Sequence, residues 1–143
     1  MPFGGKLEMH NRWFCYEELI PWDELEEQYS QFFSESGRPA HDARLIIGAY
    51  CIQMILNLSA ESAELMIREN PYMQYFCGFD QLATDRLFDP NILGNLNKRF
   101  GDRFQNFDQK IHQILRGHNM LEQSQQRYSF FRRIKRWLKQ MLF

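Results

Sequence analysis

The sequence holds no Cys-x-x-Cys pair, no glycine-rich phosphate loop, no Gly-x-Ser-x-Gly elbow and no two histidines at the i, i+4 spacing of a metal site. Each absence removes a class of chemistry. Cys15, Cys51 and Cys77 are odd in number, widely spaced and set among apolar or aromatic neighbours, which points to three reduced core thiols and not to a disulfide frame. His10, His41, His112 and His118 offer no ligand set, so neither metal nor cofactor is expected. The N-terminus has no apolar h-region of a signal peptide. The most apolar stretch, 45–58, is broken by Gln53 and Asn57 and falls short of the ~20 residues of a membrane span. A cytoplasmic protein with no membrane crossing is expected. Internal repeats, low-complexity tracts and runs of alternating β-branched residues are also missing.

The chain does hold enough apolar material for one core, with 143 residues, 44% hydrophobic and 15% aromatic. Its net charge of −1 argues against a generic polyelectrolyte binder, but the average hides an asymmetry. Up to Glu35, the acids Glu8, Glu17, Glu18, Asp23, Glu24, Glu26, Glu27 and Glu35 face only Lys6 and Arg12. After Glu122, the bases Arg127, Arg132, Arg133, Lys135, Arg136 and Lys139 face no acid. A polyanion meets the second half of the chain first.

Every long periodic segment reads as helix, so the fold class is all-α, a small multi-helix domain with a helix-turn-helix-like unit. Trp22, Leu25, Tyr29, Phe32 and Phe33 recur at helical spacing after Pro21 and define a first helix over Pro21 to Phe33. Asp42 to Leu56 is apolar on nearly all sides and reads as the central helix. Ser59 caps a helix to Glu69, which Asn70-Pro71 ends, and a short turn of helix runs from Pro71 to Phe76 before Gly78. After a loop from Asp80 to Phe88, Asp89 and Pro90 open a helix that stops at Gly101. Phe104, Phe107, Ile111, Ile114 and Leu115 stripe the next helix, which Gly117 closes. From Tyr128 a basic amphipathic helix completes the chain. The expected division is 1–117 for the helical domain and 118–143 for the terminal helix.

The helix after Asp89 carries the most specific chemistry. Leu93, Leu96 and Phe100 share one face, and Asn91, Gly94, Asn95 and Lys98 point the other way, flanked by Asn97 and Arg99. Asparagine pairs with adenine in the major groove, lysine and arginine reach guanine or phosphate, and glycine lets the backbone come close. A solvated polar face looks the same, so both readings stand on the residues alone. The terminal bases Arg132, Arg133, Lys135 and Arg136 fit an ordinary domain helix first, a phosphate grip second and an anionic membrane third. The carboxylates of the first helix read as a solvated acidic face, and no catalytic constellation emerges.

Several strings carry a resemblance: ELIPWDELEEQY at 18–29, GRPA at 37–40, NLS at 57–59, IRENPYMQYFCG at 67–78 and FDP at 88–90. Together they resemble the InsH-type N-terminal domain of bacterial insertion-sequence transposases, over roughly 12–101. The resemblance implies a helical module that binds double-stranded DNA at the terminal inverted repeats. In complete members an RNase H-like domain with an Asp-Asp-Glu triad follows. Two-metal phosphoryl transfer needs carboxylates fixed on a rigid scaffold, and after Gly101 the sequence offers only helices, so a non-enzymatic, truncated module is expected. Asn97 departs from the family string by replacing a base. The expected DNA-binding residues are Asn91, Asn95, Asn97, Lys98 and Arg99, with Arg132, Arg133, Lys135 and Arg136. Expected partners are the element ends, a second copy or a full-length transposase. The competing reading is a non-catalytic interaction or dimerisation module that touches no DNA.

Overall fold

Short side chains with a free oxygen start most of the helices. Asn11 accepts from the Trp13 N–H, Asp42 from Arg44, Ser59 from Ser62, and Asn70 from both Tyr72 and Met73, each satisfying a donor that the first helical turn leaves open. The computed structural model describes residues 2–33, 42–121, 136 and 139–141. Its elements are α1 (Arg12–Leu19), α2 (Trp22–Gln31), α3 (Ala43–Leu56), α4 (Ala60–Glu69), α5 (Pro71–Phe76), α6 (Asn91–Phe100) and α7 (Asp102–Gly117), after a 3-10 turn over Pro2–Gly5. Every regular element among the described residues is helical, as the sequence pattern requires. The sequence has no valine and one threonine, residues that favour strands.

The boundaries of α3, α4 and α5 fall where the caps place them. α2 is shorter than the apolar repeat predicts. Phe32 and Phe33 donate back to the carbonyls of Tyr29 and Ser30, tightening the end into a 3-10 turn. The helix α1 is not visible as a repeat, because it is eight residues long and aromatic on several sides. It forms by packing on α5. Trp13 meets Phe76 edge-on at 5.4 Å, and Phe14 stacks on Tyr75 at 4.1 Å. Cys15 corrects the expectation of three core thiols: it is exposed on α1, whereas Cys51 and Cys77 are buried. Burial pushes the Cys51 thiol up to about 12 and raises that of Cys77 as well, so neither is a nucleophile near neutrality.

The helix α3 runs through the centre, with eight of its fourteen residues buried. Its backbone turns at Asn57, in the left-handed region at φ 53°, and α4 leaves at 106° to it. At Gly48 an added Cβ would lie 2.8 Å from Cys77 Sγ and 3.1 Å from Cys77 Cα, so a side chain there would push α5 away. Around α3 lies a seam of rings. Trp22 meets Phe76 at 5.0 Å, and at the other end of α2 Phe32 stacks on Phe100 at 5.0 Å while Phe32 and Tyr29 both touch Phe107. No single helix among the described residues is long and apolar enough to cross a membrane.

Two buried polar side chains fasten the loop that leads into α6. Gln74 is fully buried. Its amide nitrogen donates to the carbonyls of Ile67, Arg68 and Ala83, and its oxygen accepts from the Ala83 N–H at 2.8 Å. Glu64, also buried, accepts from Arg68 twice and from the Leu87 N–H. Between them Ala83 and Leu87 are fixed, and Phe88 drops into the core.

Replacing Gln74 by alanine strands the Ala83 N–H and the carbonyls of Arg68 and Ala83, and urea denaturation should show a loss of about 3 kcal/mol or more. Hydrogen bonds from Arg68, helped by the Leu87 N–H and opposed by burial, hold the Glu64 carboxyl below its ordinary 4.5. A folded-state value below the unfolded one stabilises the fold above that pH range and loses its contribution as pH falls through the folded value. The stability of the wild type should therefore drop more steeply below pH 4.5 than that of Glu64→Gln, as read from midpoints across an acid series.

Candidate nucleic-acid interface

The helix α6 is framed at both ends. Asp89 Oδ1 accepts from the Asn91 N–H at 3.0 Å and the Asp89 carbonyl accepts from Ile92, with Pro90 already helical at φ −56°. Asp89 thus performs the capping, and Pro90 supplies the first helical geometry. At the other end Gly101 takes φ 57° and ψ −130°, a conformation open to glycine alone, and α7 begins one residue later.

Within that frame Leu93, Leu96 and Phe100 are buried, and Asn91, Gly94, Asn95, Asn97, Lys98 and Arg99 are exposed. The structure brings Asn91, Asn95 and Arg99, spaced i, i+4, i+8, to one cleft beside Tyr29 of α2 and Phe33 just after it. Arg99 is not a loose cation there. Its guanidinium lies 5.0 Å from the Phe33 ring and 5.3 Å from that of Phe100, which fixes its direction. Burial, eased by the nearby Arg99 charge, pushes the Tyr29 hydroxyl up to about 12. Asn97 stands on the opposite edge of α6, in a cleft with Tyr50, Gln105 and Gln109. Lys98 and Gly94 occupy the crown, and a Cβ on Gly94 would meet nothing within 4 Å.

Arg132, Arg133 and Lys135 lie outside the described residues, as does most of the basic segment read from Tyr128. Arg136 is described, helical and exposed, as is Lys139. The sequence reading missed the outer surface of α7, where Arg103, Gln105, Gln109, Gln113 and Arg116 are exposed. The signal was present in the polar positions between its apolar ones.

Charge is distributed unevenly over the helices. Residues 91–121 carry five bases, Lys98, Arg99, Arg103, Lys110 and Arg116, against Asp102 and Asp108, whereas residues 12–31 carry six acids against Arg12. One ion pair, Lys110 with Glu24, ties the two regions together. The elbow between α3 and α4 is a three-residue turn with a 106° bend. Its second helix exposes Glu61 and Glu69, with Leu65 and Met66 between, and has no cation but Arg68, which Glu64 engages. Phosphates would be repelled there, so the cationic, amide-bearing surface belongs to α6 and α7. Among the described residues no group of three or more His, Cys, Asp or Glu could hold a metal ion.

These features define a small all-helical domain whose residues 91–121 are net basic and whose residues 12–31 are net acidic. The chain belongs to the family described as Transposase domain (DUF772), whose model matches residues 3–99. A protein of Rhizobium meliloti, described as "Uncharacterized protein ORF8 in nfe locus", is 34% identical over 83 residues, which are 58% of this chain and 40% of that protein. The matched region thus spans well under half of that relative's length. No solved structure matches the chain.

Gly94 and Gly101 should respond to substitution in opposite directions. Gly94→Ala places a methyl group in open space on a regular helix and should stabilise by about 0.5 to 1 kcal/mol. Gly101→Ala forces a side chain into a glycine conformation and should destabilise by about 1 to 3 kcal/mol. Thermal melts of the two variants beside wild type provide the measurement.

Proposed function

We propose that the chain is a DNA-binding module of a transposase, which recognises the terminal inverted repeats of a mobile element with α6 as its reading helix. The observation that carries this reading is the way α6 is held: its apolar side is locked by Leu93, Leu96 and Phe100, and it offers solvent only glycine, amides and cations. Asn91 and Asn95 can pair with adenine edges, Lys98 and Arg99 can take guanine or phosphate, and Gly94 lets a duplex approach the helix backbone. Asn97, on the edge toward α7, contributes an amide where the family string has a base. Membership of a transposase family supports the assignment. Within this reading the cutting and joining of DNA is carried by a separate catalytic domain, and the module works in a cytoplasmic compartment, alone or paired with a second copy or a full-length transposase.

A second reading has an observation of its own. Leu65 and Met66 are 46% and 37% exposed on α4, an apolar spot between acids that suits a protein partner and not a nucleic acid. In that reading the chain is an interaction or dimerisation module.

Fluorescence anisotropy separates the two. A short duplex enriched from a randomised pool on the wild-type chain should bind more tightly than its scrambled counterpart, and the affinity should fall between about 50 and about 200 mM salt. The double reversal Lys98→Glu with Arg99→Glu should weaken binding at least tenfold while the circular-dichroism spectrum stays unchanged. Gly94→Ala should also weaken binding despite its stabilising effect on the helix. Equal affinity for selected and scrambled duplexes would overturn sequence recognition, and binding unaffected by the double reversal would remove α6 from the interface.

A further inference from the structure

The cleft that receives Asn97 does not end there. It is lined by Tyr50, Asn97, Gln105, Asp108 and Gln109, and the next cleft along α7 shares Asp108 and Gln109 and continues through His112 to Arg116. The two join into one furrow. Along it Gln105, Gln109, His112 and Arg116 follow one another at i, i+4, i+7 and i+11, a single stripe on the helix surface. At 1.5 Å per residue the stripe extends about 16 Å, roughly five base-pair steps.

The chemistry of the stripe is selective. The side-chain amides of Gln105 and Gln109 make no hydrogen bond among the described residues, and both residues are exposed, so these amides can donate and accept. Asp108 is the one acid in the furrow, and it is already engaged: the Tyr50 hydroxyl donates to its carboxylate, and the His112 ring lies 3.4 Å from it. Burial and this hydrogen bond raise the Tyr50 hydroxyl far above its ordinary range, so the donor stays in place. No large apolar side chain is exposed along the furrow. The exposed ones, Met9, Leu19, Leu65, Met66, Leu82 and Met141, all lie elsewhere. A protein partner needs an apolar or aromatic anchor at the centre of its interface, whereas a row of amides ending in a guanidinium needs a ligand made of hydrogen-bonding edges and phosphates.

We infer that this furrow is a second contact on duplex DNA, in which Gln105 and Gln109 read base edges beside those met by α6 and Arg116 holds a phosphate at the far end. The inference rests on the reading of α6 as a DNA-binding helix and extends it to a second helix. Because a single residue joins α6 to α7, the two contacts are fixed in phase, and the recognised site is longer than one helix can cover.

The test uses the full chain and the same selected and scrambled duplexes. Gln105→Ala and Gln109→Ala should each weaken binding to the selected duplex roughly tenfold and leave the scrambled duplex unaffected, since a base contact carries discrimination. Arg116→Ala should weaken both and lower the slope of log affinity against log salt by about one, with Arg116→Lys restoring the slope. All three positions are exposed, and unchanged melting midpoints confirm intact variants. If the α7 variants bind both duplexes as wild type does while Lys98→Glu with Arg99→Glu abolishes binding, the second contact is overturned and the α6 reading stands. If the wild type binds no duplex, both fall together.

Discussion

The ring contacts that α2 makes at its two ends set the position of everything around α3. At its start Trp22 packs on Phe76 and its indole N–H donates to the Glu17 carbonyl, fixing α1 and α5. At its end Tyr29, Phe32 and Phe33 grip Phe100 and Phe107, fixing α6 and α7. Rings that meet edge-on or offset tolerate little sliding, so α2 works as a brace that transmits the pose of one half of the domain to the other. Arg44 reinforces it from α3. Its guanidinium sits 4.4 Å from the Trp22 ring and pairs with Glu17 at 2.8 Å, drawing three helices together at one point.

The same brace explains why an otherwise exposed helix holds a defined surface. Arg99 rests on Phe33 and Phe100, rings that the brace has already placed. The N-terminal end of α6 is governed separately, through Gln74 and Glu64 and the loop they fasten. The helix proposed to meet DNA is thereby fixed at both ends by groups outside its exposed face.

Helices with strong local punctuation were legible in the sequence. Asp42, Ser59, Asn70-Pro71 and Asp89-Pro90 mark starts that local chemistry enforces, and the structure follows them to within a residue. The helix α1 was not legible because its stability is tertiary: without Tyr75 and Phe76 to pack against, its eight residues have no strong helical preference. Gln74 and Glu64 were invisible for a related reason, since a polar letter reads as surface until a distant backbone is seen to need it. Of the candidate surface, the exposure of Asn91, Asn95, Lys98 and Arg99 follows from helical period alone. The position of Asn97 beside α7 does not, because it depends on the angle at which Gly101 joins two helices.

That one-residue joint restricts how the surfaces of α6 and α7 can change over time. Adding or removing a residue at Gly101 would rotate α6 by about 100° relative to α7 and turn its apolar side out of the core. Side chains on the two outer surfaces can be exchanged freely, but the spacing between them cannot drift by small steps. On such a joint, any recognition these helices carry would be altered by substitution at fixed positions, as a lock with a set number of pins is re-keyed.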